Sequence, residues 1–148
     1  MVTVRSAFVS ECASLEALQW RASLQNSKYR EALLKNPDAI VLPVEQIIEG
    51  RVFVAEQDGE ILGFYAVLPR EDGNTELDGL FVEPNVWRQG IGSELVDHSC
   101  ALAKRAGARY LHVVGNPQAE SFYRACGFEL VGTERTRFGD GMLMKRAL

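Results

Sequence analysis

The chain is expected to fold as a mixed α/β domain built on one central sheet. Three observations carry that expectation. Short apolar strand-like runs recur, the clearest at residues 51–56 and 61–68. Amphipathic runs with helical period are interspersed among them, the clearest at residues 90–106. An apolar run, Leu77-Asp78-Gly79-Leu80-Phe81-Val82, also leads within a few residues into a glycine-bearing helix start. A length of 148 residues fits one domain over 1–148 with a real core. At 47% hydrophobic and 24% charged, the composition is ordinary for a soluble globular protein.

Val2 to Val9 alternates loosely and reads as a first strand. Ser10 is the expected N-cap of a helix with apolar residues Ala13, Leu15, Ala17, Leu18 and Leu24. Residues 26–50 read as helix interrupted by Pro37 and Pro43. Residues 51–56 form a strand, Asp58-Gly59 a hairpin turn, and residues 61–68 the returning arm. Asp72-Gly73-Asn74 makes another turn, and Thr75 to Val82 the next strand. From Gly90 to Ala106 the helix presents Ile91, Leu95, Leu102 and Ala106 on one face, mostly opposite Glu94, Asp97, Lys104 and Arg105. Gly107 ends it. Tyr110 to Val114 is a strand, and Asn116 or Pro117 opens a short helix ending at Gly127. Residues 128–131 and 142–145 read as closing strands, with 132–141 as the loop between them.

A net charge of −4 argues against a nucleic-acid surface. Glu71, Asp72, Glu76, Asp78 and Glu83 crowd one stretch, which would attract a cationic substrate or simply solvate a hairpin. Cys12, Cys100 and Cys126 are far apart, and neither they nor His98 and His112 form a ligand pattern, so no metal is expected. Reduced thiols, no charged leader before a long apolar run, and no run of transmembrane length point to a cytoplasmic protein without a membrane partner.

Pro84 to Leu95 reads P-N-V-W-R-Q-G-I-G-S-E-L. Gly90 and Gly92 stand where strand becomes helix. The first amides of a helix lack internal partners, and the helix dipole adds positive potential there. The result is an anion site suited to phosphate or pyrophosphate, provided no side chain keeps the ligand away. Arg88 adds a charged contact. A Walker loop would need Lys-Ser/Thr where Ser93-Glu94 stands, and a dinucleotide turn would need glycine where Leu95 stands. The bland alternative is an ordinary turn with two glycines.

Downstream lies N-P-Q-A-E-S-F-Y-R-A-C-G-F-E, from Asn116 to Glu129, an amphipathic helix followed by a strand. With both segments in order, the chain resembles the GCN5-related N-acetyltransferase (GNAT) superfamily over roughly residues 51–131. One departure is visible: Trp87 stands where the family usually has Gln or Arg, three residues before the first glycine. The resemblance implies a mixed, mostly antiparallel sheet flanked by helices, with a splayed strand pair that holds acetyl-CoA or another short acyl-CoA. It implies that Arg88, Gln89, Gly90, Ile91, Gly92 and Ser93 cradle the pyrophosphate. It implies further that amides near Phe81 and Val82 bind the thioester carbonyl. A β-bulge at Gly79 would free those amides and would place Leu77, Leu80 and Val82 on one face.

Acyl transfer to an amine poses two proton problems. A protonated amine must lose a proton before it attacks, and the departing thiolate gains from receiving one. Glu76, at the position of some family members' catalytic glutamate, is the first candidate base; Asp78, on the same strand face, is the second. Each could equally be a solvent-facing carboxylate. Tyr123 sits at the family's general-acid tyrosine, otherwise a core aromatic with its hydroxyl at the rim. Asn116 matches a residue that often binds the pantetheine arm, otherwise a helix cap. His98 and His112 have no family role and are expected to be exposed or at a rim; Cys126 is expected to pack rather than react. Residues 15–50 and 132–141 would supply the acceptor pocket, with Trp20, Tyr29, Arg135 and Arg137 as candidates. The acceptor would be a small-molecule or peptide amine, and the protein a possible homodimer. The competing reading is a non-catalytic acyl-CoA sensor, which would not need Glu76 and Tyr123.

Overall fold

Alternating runs become strands and periodic runs become helices in the computed structural model, which describes residues 2–148. In chain order these are β1 (Thr3–Ser6), α1 (Cys12–Ser23), α2 (Ser27–Lys35), α3 (Val44–Ile48), β2 (Val52–Gln57), β3 (Glu60–Pro69) and β4 (Thr75–Val82). Then follow α4 (Ile91–Arg105), β5 (Tyr110–Gly115), α5 (Glu120–Ala125), β6 (Glu129–Thr136) and β7 (Gly139–Ala147). The strands form a 7-stranded sheet in the order β1-β2-β3-β4-β5-β7-β6. The chain divides into two compact units. One runs to Ala66 and resumes over Gly79–Leu95; the other comprises Val67–Asp78 and Val96–Leu148.

In the first unit, β2 pairs antiparallel with β1 and with β3. The Asp58-Gly59 turn that joins β2 to β3 has both residues at positive φ, 53° and 78°, as a two-residue hairpin twist demands. Leu15 and Leu18 of α1, Leu42, Ile47 of α3, Val52 and Val54 of β2, and Phe64 and Ala66 of β3 form the core, with Phe81 packed against it. Glu16 of α1 accepts from the Leu42 amide at 2.9 Å, which anchors the proline-bounded segment to the core. Two expectations fail here. β1 ends at Ser6 rather than Val9, and Ser10 is not the N-cap of α1. A 3-10 turn over Val9–Glu11 intervenes, and Glu11 accepts from the Phe8 amide at 2.8 Å. Arg5 pairs with that same Glu11 and with Glu56, so ion pairing sets the turn that propensity assigned to Ser10.

β3 and β4 approach closely at Gly63. A Cβ there would lie 2.8 Å from the Phe81 carbonyl oxygen and 3.1 Å from Leu95 Cδ1. The backbone oxygen cannot step aside. Gly63→Ala is therefore expected to cost about 1–3 kcal/mol, the usual range for overpacking. Urea denaturation should show a lower midpoint with an unchanged slope; an unchanged midpoint would mean that the strands part freely.

In the second unit, β4 pairs parallel with β5 over Thr75–Leu77 and Leu111–Val113. β7 pairs antiparallel with both β5 and β6. Leu77, Leu111, Val113, Tyr123, Phe128 and Met144 are buried. The Asn74 side-chain oxygen accepts from the Arg109 and Tyr110 amides at 2.9 and 3.1 Å, which fixes the start of β5. Residues 132–141 correct the expected loop: β6 and β7 run through them and turn at residues 137 and 138. β6 is an edge strand, largely exposed, so it keeps polar residues on both faces and lacks the alternation that betrays a strand. The buried stripe of α4 also differs. Ile91, Leu95, Val96, Ser99, Cys100 and Ala103 are buried, while Leu102 is half-buried and Ala106 exposed. Ser99 hid the stripe; its hydroxyl satisfies itself on the Val96 carbonyl at 2.7 Å and so tolerates full burial.

Candidate active site

The glycine turn belongs to the first unit, and four contacts hold the chain that leads into it. The Glu83 amide donates to the Leu62 carbonyl at 2.8 Å. Arg21 of α1 grips the Glu83 carboxylate with Nε at 2.9 Å and Nη2 at 2.6 Å. The Trp87 indole N–H donates to the Val82 carbonyl at 2.7 Å, and the Trp87 amide donates to Pro84 at 3.3 Å. Trp87 is thus a tie between β4 and the turn, and its ring stays half in solvent, at 47% exposure. Sequence reading registered Trp87 only as a departure. The missed signal was chemical: an indole N–H near a strand end has carbonyl acceptors within reach.

Arg88 and Gly90 then take positive φ, 68° and 85°. The first bond of α4 is Glu94 N–H to the Gly90 carbonyl at 3.1 Å. The amides of Ile91 and Gly92 precede that donor and have no partner within the helix. A Cβ at Gly90 would meet nothing within 4 Å, so the glycine answers a conformational demand rather than a steric one. Arg88, Gln89, Gly90 and Ser93 are exposed, Gly92 is half-buried, and Ile91 is buried as the helix anchor. Phe81 turns its ring inward, 5.4 Å from Phe64, and lies across Gly79.

The second unit carries the proton-handling candidates. Tyr123 of α5 is 7% exposed and sits edge-on to Phe122 at 5.1 Å and to Phe128 at 5.5 Å. Gly115 makes room for it, since a Cβ there would come within 3.0 Å of the ring. Burial pushes the Tyr123 hydroxyl above its ordinary range, with the Cys126 sulfur adding to the effect, so it carries its proton at neutral pH. Asn116 stands at the N-cap position of the 3-10 turn Pro117–Ala119 but makes no capping bond. Its Oδ1 is buried without a hydrogen-bond partner. Glu76 is half-buried, and its Oε1 accepts from Arg70 Nη1 at 3.2 Å; Asp78 is exposed. His112 is half-buried, with its Nε2 buried and without a hydrogen-bond partner.

Trp20 and Tyr29 are half-buried in the first unit, and burial raises the Tyr29 phenol pKa. Arg135 lies on exposed β6 and Arg137 at the β6–β7 turn. Among the described residues no group of three or more His, Cys, Asp or Glu could hold a metal. No helix among them is long and apolar enough to cross a membrane.

Residues 13–128 match the model of the acetyltransferase (GNAT) family. The chain belongs to the GNAT acetyltransferase family. Among curated GNAT relatives, it is 39% identical to an aminoglycoside N(6')-acetyltransferase type 1 of Stenotrophomonas maltophilia, covering 55% of this chain and 61% of that one. It is 36% identical to the peptidyl-lysine N-acetyltransferase YjaB of Salmonella typhimurium, covering 55% of this chain and 50% of that one. The chain thus spans between half and somewhat over three fifths of the length of these relatives. Among solved structures, a PaiA N-acetyltransferase from Thermoplasma acidophilum in complex with coenzyme A superposes with a TM-score of 0.78 at 17% identity, covering 100% of this chain and 99% of that one. YncA of Salmonella typhimurium, a putative acetyltransferase with its cofactor acetyl-CoA, gives 0.73 at 19%, covering 100% and 94%. These likenesses show that the fold is the GNAT fold.

Proposed function

We propose that this protein is an acetyl-CoA-dependent N-acetyltransferase of one domain, moving an acetyl group to a primary amine by direct attack. The observation that carries the reading is the start of α4 in a member of this family. There, Gly90 at φ 85° brings the chain into a helix whose first amides are unspent. The residues fit the cofactor. The Ile91 and Gly92 amides suit a pyrophosphate, with Arg88 adjacent. The buried, unpartnered Oδ1 of Asn116 suits an amide N–H of a pantetheine arm. When bound, acetyl-CoA supplies an activated acyl group on sulfur.

The chain's own residues do the rest. Main-chain amides near Phe81 and Val82 hold the carbonyl whose oxygen gains charge. Tyr123, protonated at neutral pH, donates to the departing sulfur. Glu76 is the first candidate to receive the amine's proton, and Asp78 the second. The acceptor class is a small-molecule or peptide amine, since the relatives are named for an aminoglycoside and for peptidyl-lysine.

A single assay tests the reading. Protein, acetyl-CoA and a panel of aminoglycosides, polyamines, and peptides with free N-termini or lysines are incubated, and free thiol release is followed. Release that depends on one amine class is expected. Tight acetyl-CoA binding with no release on any amine would instead support the sensor alternative.

A further inference from the structure

Of the aromatic rings among the described residues, two stand well into solvent, Phe8 at 58% and Trp87 at 47% exposure. Phe8 already carries the Arg5 guanidinium, 4.5 Å from its ring centre. Trp87 is held differently. An indole has one donor and no acceptor, and this one is spent on the Val82 carbonyl at 2.7 Å. The main chain beneath the ring is fixed as well. The Trp87 amide closes the 3-10 turn Pro84–Val86, and Arg21 clamps Glu83 just ahead of that turn. The ring is therefore pinned by its own edge, with much of its surface left to solvent.

A ring so placed can offer a ligand only one thing. It has no second N–H for a phosphate, so it cannot do what a Gln or Arg at this position could. What remains is a flat, polarisable face. Trp87 opens a run of four exposed residues, with Arg88, Gln89 and Gly90, that leads directly into the amides of Ile91 and Gly92. Ile91 follows Trp87 by four positions, so their Cα atoms lie within about 15 Å of each other. The cofactor that the turn fits has one flat aromatic group, its adenine, and a single ribose separates that base from the pyrophosphate. A ring face and an anion cradle this close together match a base and its phosphates. A pinned indole also loses little rotamer entropy when a base stacks on it.

We infer that the Trp87 indole is the platform on which the adenine of acyl-CoA stacks, with the pyrophosphate on the amides beyond it. The inference rests on the acetyl-CoA reading and adds to it a residue that grips the nucleotide end and takes no part in the acyl transfer. It gives the departure at position 87 a purpose: a side-chain contact to phosphate is exchanged for one to the base.

The two ends of the cofactor can be supplied separately. Adenosine 3',5'-bisphosphate carries the base, and 4'-phosphopantetheine carries the arm with its pantoate methyls. Binding of each, and of CoA, to the intact protein is titrated. Trp87→Ala is expected to weaken CoA and the bisphosphate by about 5–10-fold, the low end for base stacking because the ring stays half in water, and to leave phosphopantetheine unchanged. Two further variants separate the ring from its tie. Trp87→Phe keeps a ring without the N–H and should retain most of the CoA affinity. Trp87→Gln keeps a donor without a ring and should bind CoA like the alanine variant. The chain has 2 tryptophans, so Trp20→Phe leaves Trp87 as the only indole. Its fluorescence should be quenched by CoA and by the bisphosphate, and not by phosphopantetheine. Full CoA affinity in Trp87→Ala overturns the inference alone, as does rescue by Gln and not by Phe. A loss or a quenching as large with phosphopantetheine as with CoA also overturns it, because the ring would then lie against the pantoate methyls. Wild-type protein that binds no CoA overturns the acetyl-CoA reading, and this inference with it.

Discussion

Gly92→Glu is expected to abolish the thermal stabilisation that acetyl-CoA gives the wild-type protein, without unfolding the protein. Gly92 is the second residue of α4, where the helix amides are unspent. A glutamate there adds bulk and negative charge where a pyrophosphate would bind. The same change suits the free protein. Glutamate is favoured over glycine in a helix by several tenths of a kcal/mol, and an acid in the first turn complements the dipole. The unliganded variant should melt at or above the wild-type temperature. Wild-type protein at about 100 times Kd gains about 2.7 kcal/mol by mass action, which for a chain of this size is a rise of roughly 5–10 °C. The variant should show none of it in a thermal melt with and without acetyl-CoA. Equal stabilisation of the two proteins would remove the turn from the binding site.

Tyr123→Phe is expected to lower kcat by about 10²-fold on a confirmed amine, with KM for acetyl-CoA nearly unchanged. Phenylalanine keeps the edge-on contacts to Phe122 and Phe128 and the space left by Gly115, so the melting temperature should barely move. The low end of the general-acid range is appropriate because a thiolate is already a fair leaving group. Full kcat in the variant would make Tyr123 a packing residue and leave the sulfur to be protonated by water or substrate.

Much of the fold was legible because its signals are local. Asp58-Gly59, the strand-to-helix turn at Gly90, and Gly107 are turn chemistry, and each appears where the residue types demand it. What stayed hidden depends on partners distant in sequence. Ser10 is a good cap by type, but Arg5 drew Glu11 and Glu56 together and the helix began later. Edge position let β6 carry charges on both faces and pass for a loop. The site divides in the same way. Gly90 and Gly92 could be read from spacing alone. The ties through Trp87 and Arg21 could not, because their acceptors lie on β4 and just past its end.

The left-handed turn at Arg88 has a consequence for anyone engineering this protein. A side-chain-bearing residue at φ 68° is held in a conformation that costs it roughly 1–2 kcal/mol, and glycine would be spared most of that. Arg88→Gly should therefore melt a few degrees higher while binding acetyl-CoA more weakly, which a melt and a binding titration on one sample would reveal. Screens that reward thermostability alone would then enrich damaged catalysts at position 88. A library for this protein has to be scored for cofactor retention in the same round.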